Sequence, residues 1–255
     1  MSSALFDLKG KIALVTGSHR GLGRAMAEGL AAAGATVVIN GRHRETVDMA
    51  VAELRQMGQR AFAAPFDVTD EESIEKGMTV IEQEIGKPDI LFNNAGAIIR
   101  SPLLEMSRDE WNSMLNVHLT GSFLLARRAV PGMIEKGAGK VVNTCSFLSA
   151  VARDTVSAYA AAKAGLKMLT QEMATEWGRH NVQCNAIGPG FFATDLTKPL
   201  RENEEFDSWL KGRVPAARWG EPEELIGPAL FLASSASNFV NGQIIYVDGG
   251  LLARV

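Results

Sequence analysis

The sequence has little of what marks secreted, membrane-spanning or nucleic-acid-binding proteins. Only two of its 255 residues are cysteines, Cys145 and Cys184; this is too few for a disulfide framework and favours a reducing compartment. The net charge of −3 provides no basic field for nucleic acid or an anionic membrane. No apolar run is long enough to cross a bilayer, and the start, MSSALFDLKGK, lacks the charged end and apolar core of a signal peptide. We therefore expect a cytoplasmic protein that binds neither nucleic acid nor membrane.

Short runs rich in valine and isoleucine recur along the chain, each closed by Gly, Asn, Asp or Ser. They are apolar at consecutive positions, which is typical of strands buried on both faces of a parallel sheet. Helical patterns separate them, and this alternation predicts helices on both faces of the sheet. The seven predicted strands are KIALVTG, ATVVING, RAFAAPFD, DILFNNAG, KVVNTCS, VQCNAIGPG and QIIYVDGG. The sequence therefore predicts an α/β, doubly wound fold of the Rossmann type, with a seven-stranded parallel sheet in a single domain over residues 1–255.

Capping signals indicate where some of the helices begin. Ser107 and Glu110 have capping-box spacing before one predicted helix, and Thr69 and Glu72 have the same spacing before another. The least regular stretch is residues 188–219. A loop of that length in a compact domain is usually functional, so we expect it to form a substrate loop or lid.

Three glycines lie between the first predicted strand and the next helix, in LVTGSHRGLGRAMAEGL. Glycine permits a tight turn there and lets backbone N–H groups approach a pyrophosphate at the helix N-terminus. The spacing is TGxxxGxG rather than GxGxxG, so the loop alone is also compatible with an ordinary glycine-rich turn. Its position after the first strand favours dinucleotide binding. The residues expected to contact the cofactor here are Gly17, Ser18, Arg20, Gly21, Leu22 and Gly23.

The end of the second predicted strand indicates which dinucleotide is bound. NAD-binding proteins of this topology place an acidic residue there for the ribose 2′-hydroxyl, but here Asn40 and Gly41 are followed by Arg42. Arg42, together with Arg20 or His19, can bind a 2′-phosphate, so NADP(H) is favoured over NAD(H). The alternative is that these basic residues are solvated loop charges and that either cofactor is accepted.

Ser146, Tyr159 and Lys163 are the candidate catalytic residues. Tyr159 and Lys163 are four residues apart and so share a helix face, where the ammonium would favour the phenolate and lower the tyrosine pKa from its ordinary value of about 10. Ser146 closes the fifth predicted strand, and its hydroxyl can hydrogen-bond a substrate oxygen on which charge develops. A YxxxK pair alone is a weak signal, and the serine and the glycine-rich loop strengthen it. We expect no metal site.

These motifs resemble those of the short-chain dehydrogenase/reductase family over essentially the whole chain. The resemblance rests on TGSHRGLG, FDV, NNAG, Ser146, YAAAK, PGFFAT and VNGQIIYVDGG. It implies hydride transfer to or from a nicotinamide, with Tyr159 passing the proton and both Tyr159 and Lys163 contacting the cofactor. It also implies that the remaining cofactor contacts come from Asp67, Val68, Asn94, Ala95, Gly96, Pro189, Gly190 and Thr194. Members of the family are usually tetramers or dimers, and we expect a homotetramer.

One position departs from the family pattern. The family usually has a catalytic asparagine in the helix before the serine strand, and in WNSMLNVHLTGSF that position holds His118. Asn116 lies two residues earlier and does not share its helix face, so it cannot simply substitute. In the family this position also holds a relay water through its backbone carbonyl. His118 can keep that catalytic role and add a titratable group, or it can merely fill the space.

Two arginines are candidate substrate ligands alongside Ser146 and Tyr159. Arg100 follows NNAGAII and Arg153 lies between Ser146 and Tyr159; a planar guanidinium suits a carboxylate, although each arginine can instead be a surface residue paired with an acid. The sequence closely resembles the branch of the family that contains gluconate 5-dehydrogenases and 2-dehydro-3-deoxy-D-gluconate 5-dehydrogenases. We expect an NADP-dependent enzyme that interconverts D-gluconate and 5-keto-D-gluconate, with the deoxy-ketogluconate as the second candidate substrate.

Two other functions stay open at this point. A 3-oxoacyl-carrier-protein reductase shares most of these motifs and needs a basic docking face, for which Arg127 and Arg128 are candidates. A nucleotide-sensing or scaffold protein would keep the fold without turnover. Such a protein would have no reason to keep Ser146, Tyr159 and Lys163 together.

Overall fold

A parallel sheet forms the centre of the molecule in the computed structural model, which describes residues 2–254. Each of the seven predicted strand segments forms a strand, and every pairing between neighbours is parallel. The strand order is β3-β2-β1-β4-β5-β6-β7. The strands are β1 Ile12–Val15, β2 Thr36–Gly41, β3 Ala61–Pro65, β4 Ile90–Asn93, β5 Gly139–Thr144, β6 Val182–Pro189 and β7 Ile244–Val247. The predicted α/β, doubly wound fold is confirmed.

Helices cover both faces of this sheet. They are α1 Ser2–Leu5, α2 Gly21–Ala32, α3 Arg44–Gln56, α4 Glu71–Glu84, α5 Arg108–Leu115, α6 Gly121–Lys136, α7 Ser157–Trp177, α8 Lys198–Arg201, α9 Glu204–Arg213 and α10 Ile226–Ala233. Alternate residues of β1 belong to different cores, because successive side chains of a strand point to opposite faces. Val15 packs with α2, α3 and α10, whereas Leu14 packs with α4 and α6. No helix within residues 2–254 has the length and apolar character needed to span a membrane.

Two helix starts show how local sequence sets the boundaries. The Ser107–Glu110 capping box is confirmed: the Ser107 hydroxyl accepts from the Glu110 N–H, and the Glu110 carboxylate accepts from the Ser107 N–H. The prediction that Thr69 begins a helix was wrong. Asp70 caps α4 instead, accepting from the Glu72 N–H at 2.9 Å, because a carboxylate also interacts favourably with the positive end of a helix.

A wider turn interrupts the long helix that follows Ser107. After α5 the residues Asn116–Thr120 form one turn of π-helix, and α6 then continues to Lys136. The extra residue of a π-turn rotates the helix that precedes the turn relative to the helix that follows it. Residues of α5 consequently line a cavity, while Leu125 and Ala129 of α6 are buried in the core.

The stretch 188–219 is more regular than its sequence indicated. β6 continues to Pro189, a bridge pairs Phe192 with Gly220, and α8 and α9 lie between them. Leu210 of α9 is fully buried. The prediction of an irregular loop was therefore wrong for most of this stretch, since its apolar and aromatic residues pack into a small core with Phe147, Leu148, Val156 and Leu251.

Candidate active site

A cavity of about 750 Å³ opens at the carboxyl edge of the sheet and runs from the glycine-rich loop to Tyr159. Open parallel sheets bind ligands at this edge. All of the predicted site residues line it except Ser18, which is fully buried. The Ser18 hydroxyl donates to the Val15 carbonyl and accepts from the Asn40 N–H, so it fastens the loop to β2. Within residues 2–254 no group of three or more His, Cys, Asp or Glu side chains is arranged to hold a metal ion.

The glycine-rich loop has the shape of a phosphate cradle. Gly17 and Gly21 adopt φ values of +60° and +59°, a region that side chains disfavour. A Cβ on Gly23 would lie 2.3 Å from the Asn94 Nδ2 atom. α2 begins directly after Arg20, whose side chain makes no capping hydrogen bond. Because the first N–H groups of a helix lack partners within it, they are suited to bind an anion, and the loop fits a pyrophosphate.

Two residues that the sequence did not single out organise this loop. The Thr16 hydroxyl accepts from the N–H groups of Asn94 and Ala95, each at 2.9 Å. The Asn40 side-chain oxygen Oδ1 accepts from the Gly17 N–H at 3.3 Å, while the Nδ2 group donates to the backbone carbonyls of Ala64 in β3 and Phe66 just after it. Each is a buried polar residue at the carboxyl end of a strand, and that position is the only signal the sequence offered.

The basic residues of the glycine-rich loop, His19 and Arg20, line the same cavity as Arg42, which follows β2. Arg20 and Arg42 are exposed, and neither forms an ion pair with another residue in the part of the chain described here. The His19 ring packs against Gly41, where an added Cβ would lie 2.7 Å from its Nδ1 atom. That Nδ1 atom is buried without a hydrogen-bond partner. Burial, and next the charge of Arg20, lower the pKa of His19, which favours a neutral ring.

Ser146, Tyr159 and Lys163 come together at the far end of the cavity. Tyr159 and Lys163 share a face of α7, with the Lys163 Nζ atom 5.7 Å from the centroid of the tyrosine ring. Lys163 is only 3% exposed and donates to the Thr144 carbonyl at 2.5 Å. The Ser146 hydroxyl accepts from the Leu148 N–H at the start of a short helical turn.

The electrostatics of this cluster differ from the prediction. Burial raises the pKa of Tyr159 to about 12, and the neighbouring Ser146 hydroxyl opposes this only in part. Burial also lowers the pKa of Lys163 to about 8. The expectation that the tyrosine pKa would lie below its ordinary value was therefore wrong for this arrangement, because the cost of burying a phenolate outweighs the groups that favour it, the Ser146 hydroxyl and the charge of Arg100.

His118 lies in the π-turn and packs against Tyr159. The two ring centroids are 4.9 Å apart, and the planes are nearly perpendicular at 87°. The His118 Nε2 atom is 2.6 Å from the Ala97 carbonyl, which can only accept, so Nε2 carries the proton. Burial, and next the charge of Lys163, hold the pKa of His118 well below its ordinary value. The ring is thus neutral at physiological pH, and its buried Nδ1 atom has no hydrogen-bond partner.

Arg100 and Arg153 both line the cavity near Tyr159. Burial lowers the pKa of Arg100, and the partial charge of Tyr159 opposes this. Burial also lowers the pKa of Arg153, with the charge of Arg100 as the next cause. Neither has a carboxylate within salt-bridge distance among residues 2–254. The structure therefore brings together two cations that lack an anionic partner.

Comparison with known proteins places the chain among oxidoreductases. Residues 17–252 match the family model described as enoyl-(acyl carrier protein) reductase. The chain is 51% identical to a 2-dehydro-3-deoxy-D-gluconate 5-dehydrogenase of Formosa agariphila, across 100% of this chain and 97% of the relative. It is 48% identical to a 5-keto-D-gluconate 5-reductase of Escherichia coli, across 98% of this chain and 99% of the relative.

A solved structure has nearly the same fold. A gluconate 5-dehydrogenase of Burkholderia cenocepacia, in complex with NADP and tartrate, is 43% identical. It covers 100% of both chains with a TM-score of 0.97. The match therefore extends over the sheet, the cavity and the helical stretch after β6.

Proposed function

This chain belongs to the short-chain dehydrogenase/reductase family and is an NAD(P)-dependent oxidoreductase, and from that premise we propose that it interconverts D-gluconate and 5-keto-D-gluconate. The observation that supports this substrate is the pair of unpartnered guanidinium groups, Arg100 and Arg153, beside Tyr159. A sugar acid has a hydroxyl or ketone for Tyr159 at one end and a carboxylate for the arginines at the other. Arginine can hold a carboxylate with two parallel hydrogen bonds.

In the proposed reaction Tyr159 exchanges the proton with the substrate oxygen. Its raised pKa keeps it protonated at neutral pH, which is the state that donates a proton to a ketone. The Ser146 hydroxyl holds the same substrate oxygen as charge develops on it. The cavity would hold the nicotinamide beside Tyr159, and the hydride would come from or go to that group when it is bound. Lys163 reaches the cavity from a buried position and holds positive charge near the tyrosine.

His118 is a positioning group in this scheme rather than a titrating one. Its ring is fixed by the Ala97 carbonyl and supports Tyr159 edge-on. Because its pKa lies well below the ordinary value, it stays neutral while the reaction proceeds. Of the two alternatives that the sequence left open, an added titratable group and a residue that fills the space, this proposal takes the second and adds that the uncharged ring supports Tyr159.

NADP(H) is the proposed cofactor in preference to NAD(H). Arg42 and Arg20 lie free on the cavity wall at the end of β2, and no acidic side chain closes that strand. Asn40, at the usual position of an acid, is turned inward to hold the glycine-rich loop. Arg42→Ala should raise the KM for NADP(H) and leave that for NAD(H) nearly unchanged, since it removes a partner of the 2′-phosphate only. Equal effects on both cofactors would contradict the assignment.

A second candidate substrate is 2-dehydro-3-deoxy-D-gluconate, which is favoured by the 51% identical relative. It also has a carboxylate at one end and a 5-hydroxyl. The carrier-protein alternative is less well supported, because the candidate docking arginines are already ion-paired. Arg127 binds Glu71, and Arg128 binds Glu75 and Glu82.

We further propose that residues 188–219 close over the substrate, and that the protein acts in the cytoplasm as a homotetramer. Closure of this stretch over the substrate is supported by Pro189, Gly190 and Thr194, which border the cavity. The cytoplasmic location and the tetramer are supported by the family resemblance. Sedimentation velocity at micromolar concentration tests the tetramer, and a monomer would contradict it.

The decisive experiment is a substrate panel. Purified protein is assayed with NADP and NAD on D-gluconate, 2-dehydro-3-deoxy-D-gluconate, neutral polyols and an acetoacetyl thioester. We expect oxidation of a sugar acid at carbon 5, identified by NMR of the product. Tyr159→Phe should abolish turnover while NADPH binding, followed by fluorescence, persists. Activity on the thioester alone, or full turnover by Tyr159→Phe, would contradict the proposal.

A further inference from the structure

Arg153 lies between the cavity and aromatic side chains that the proposed chemistry does not use. Its Cζ atom is 4.8 Å from the ring centroid of Phe206, 5.6 Å from that of Phe191 and 6.0 Å from that of Trp209. Arg153 and Phe191 line the cavity, whereas Phe206 and Trp209 stand behind them on α9. We refer to the rings of Phe191, Phe206 and Trp209 as the Arg153 cage.

The cage is held in place by contacts within the protein. Its rings pack on one another, with centroid separations of 5.2 Å for Phe206 and Trp209 and 5.7 Å for Phe191 and Phe206. Asp207, between the two cage residues of α9, accepts a hydrogen bond of 2.7 Å from the Trp219 Nε1–H. The face that the cage presents to the guanidinium is therefore fixed by packing rather than by a ligand.

The guanidinium on this cage keeps its hydrogen-bonding capacity. Contact with aromatic faces attracts a cation through the ring quadrupole but uses none of its five N–H donors. Within residues 2–254 no hydrogen bond or ion pair takes those donors. Burial, and next the charge of Arg100, lower the pKa of Arg153, while the charge of the adjacent Asp154 raises it. A half-buried cation beside another cation is suited to an incoming anion.

We propose that Phe206 and Trp209, which do not reach the cavity, are positioning residues that set substrate specificity through Arg153. They hold the guanidinium at the cavity wall without neutralising it, so that it selects a substrate with a carboxylate. This inference rests on the proposed sugar-acid function, and it assigns to Arg153 the recognition of the substrate carboxylate. A lysine would not serve in the same way, because its ammonium has no plane to lie along the rings and no fork for two parallel bonds.

The test compares Phe206→Leu with the wild type in steady-state kinetics on D-gluconate and on the neutral polyol D-glucitol. Loss of one cage ring should raise the KM for gluconate by about tenfold, the scale of a desolvated cation–π contact. The kcat on gluconate, the KM for NADP and any activity on glucitol should stay within about twofold. Phe206→Tyr keeps the ring and should restore the wild-type KM.

A matched control removes a similar contact elsewhere. Arg127 lies over the Phe123 ring at 5.3 Å, outside the cavity, and Phe123→Leu should leave the KM for gluconate unchanged. Thermal unfolding and NADPH binding are measured for each variant. If Phe206→Leu does not fold, the partly exposed Trp209 provides a second variant, Trp209→Leu, with the same expected change in KM.

A double-mutant cycle separates positioning from a general structural role. If the cage acts through Arg153, then Phe206→Leu has no further effect on the gluconate KM in an Arg153→Met background. If the two substitutions instead raise the gluconate KM by independent factors in the double variant, or if Phe206→Leu keeps the wild-type KM, the inference is overturned. The proposed function would be unaffected by either result. A wild-type enzyme that oxidises no sugar acid would be the separate failure of the proposed function.

Discussion

Replacing Gly23 by alanine tests whether the glycine-rich loop is shaped by its contact with β4 as the structure indicates. A Cβ at Gly23 would lie 2.3 Å from the Asn94 Nδ2 atom and 2.7 Å from the Gly17 carbonyl oxygen. Ordinary contacts begin at 3.4 Å, so the Asn94 amide must move by about 1 Å, and neighbouring backbone cannot move as readily. The amide would then lose its 2.8 Å hydrogen bond to the Thr16 carbonyl.

The size of the effect follows from two destabilising contributions and one stabilising contribution. Overpacking of this kind costs about 1–3 kcal/mol, and the lost hydrogen bond costs about 1 kcal/mol. Alanine in a helix regains about 1 kcal/mol relative to glycine. We therefore expect the free energy of unfolding to fall by about 2 kcal/mol, or the Tm by roughly 4 °C for a chain of this length. The Kd for NADPH should rise by at least about tenfold, because the N–H groups at the start of α2 shift with the loop.

Gly227 provides the matched control for this substitution. It is also helical and exposed, and a Cβ there meets nothing within 4 Å. Gly227→Ala should leave NADPH binding unchanged and stabilise the protein by about 0.5–1 kcal/mol. Both variants are followed by thermal unfolding and by NADPH fluorescence titration. If Gly23→Ala binds NADPH as the wild type does, the tight contact between the loop and Asn94 is not what shapes the cofactor site.

Three further changes have expected outcomes. Lys140 is 8% exposed, and burial lowers its pKa to about 8. In the native state this amine therefore binds fewer protons than in the unfolded chain between that value and 10.5, so Lys140 should contribute to the free energy of unfolding a rise with pH of at most about 3 kcal/mol across this window. Lys140→Met should remove that rise in urea unfolding at about pH 7.5 and 10, and an unchanged pH dependence would show that the amine is not desolvated. Asp70→Ala should cost about 1 kcal/mol in urea unfolding by removing the cap of α4, whereas Thr69→Ala should cost less; the reverse order would contradict the assigned cap. His118→Asn should lower kcat without altering its pH dependence between about pH 6 and 8, because a neutral buried ring does not titrate there; a changed acidic limb would show that His118 does titrate.

The sequence predicted the sheet and the meeting of Ser146, Tyr159 and Lys163 because both depend on local spacing. Strands buried on both faces must be apolar at consecutive positions, so each of the seven was visible as a short run. Tyr159 and Lys163 are four residues apart on one helix and had to share a face. Ser146 could be added because parallel strands end at one edge of a sheet.

The features that the sequence did not predict depend on contacts between distant segments. The pKa of Tyr159 follows from its burial among residues from several elements, which no spacing reveals. Arg153 was a candidate carboxylate ligand, but two of its three cage rings come from α9, more than fifty residues further along the chain. The helices within residues 188–219 form because aromatic residues there find a shared core, and their local pattern alone resembled a loop.

The π-turn at Asn116–Thr120 has a consequence for how this protein can change in evolution. Removing one residue from the turn would restore a regular helix and rotate α5 by about 100° relative to α6. Asn112 and Ser113, which now border the cavity, would then face elsewhere, although no side chain at the site had been substituted. At this one place the length of the chain, rather than the identity of its residues, decides which surface meets the substrate. Insertions and deletions here should therefore be far less tolerated than substitutions on the exposed side of α5.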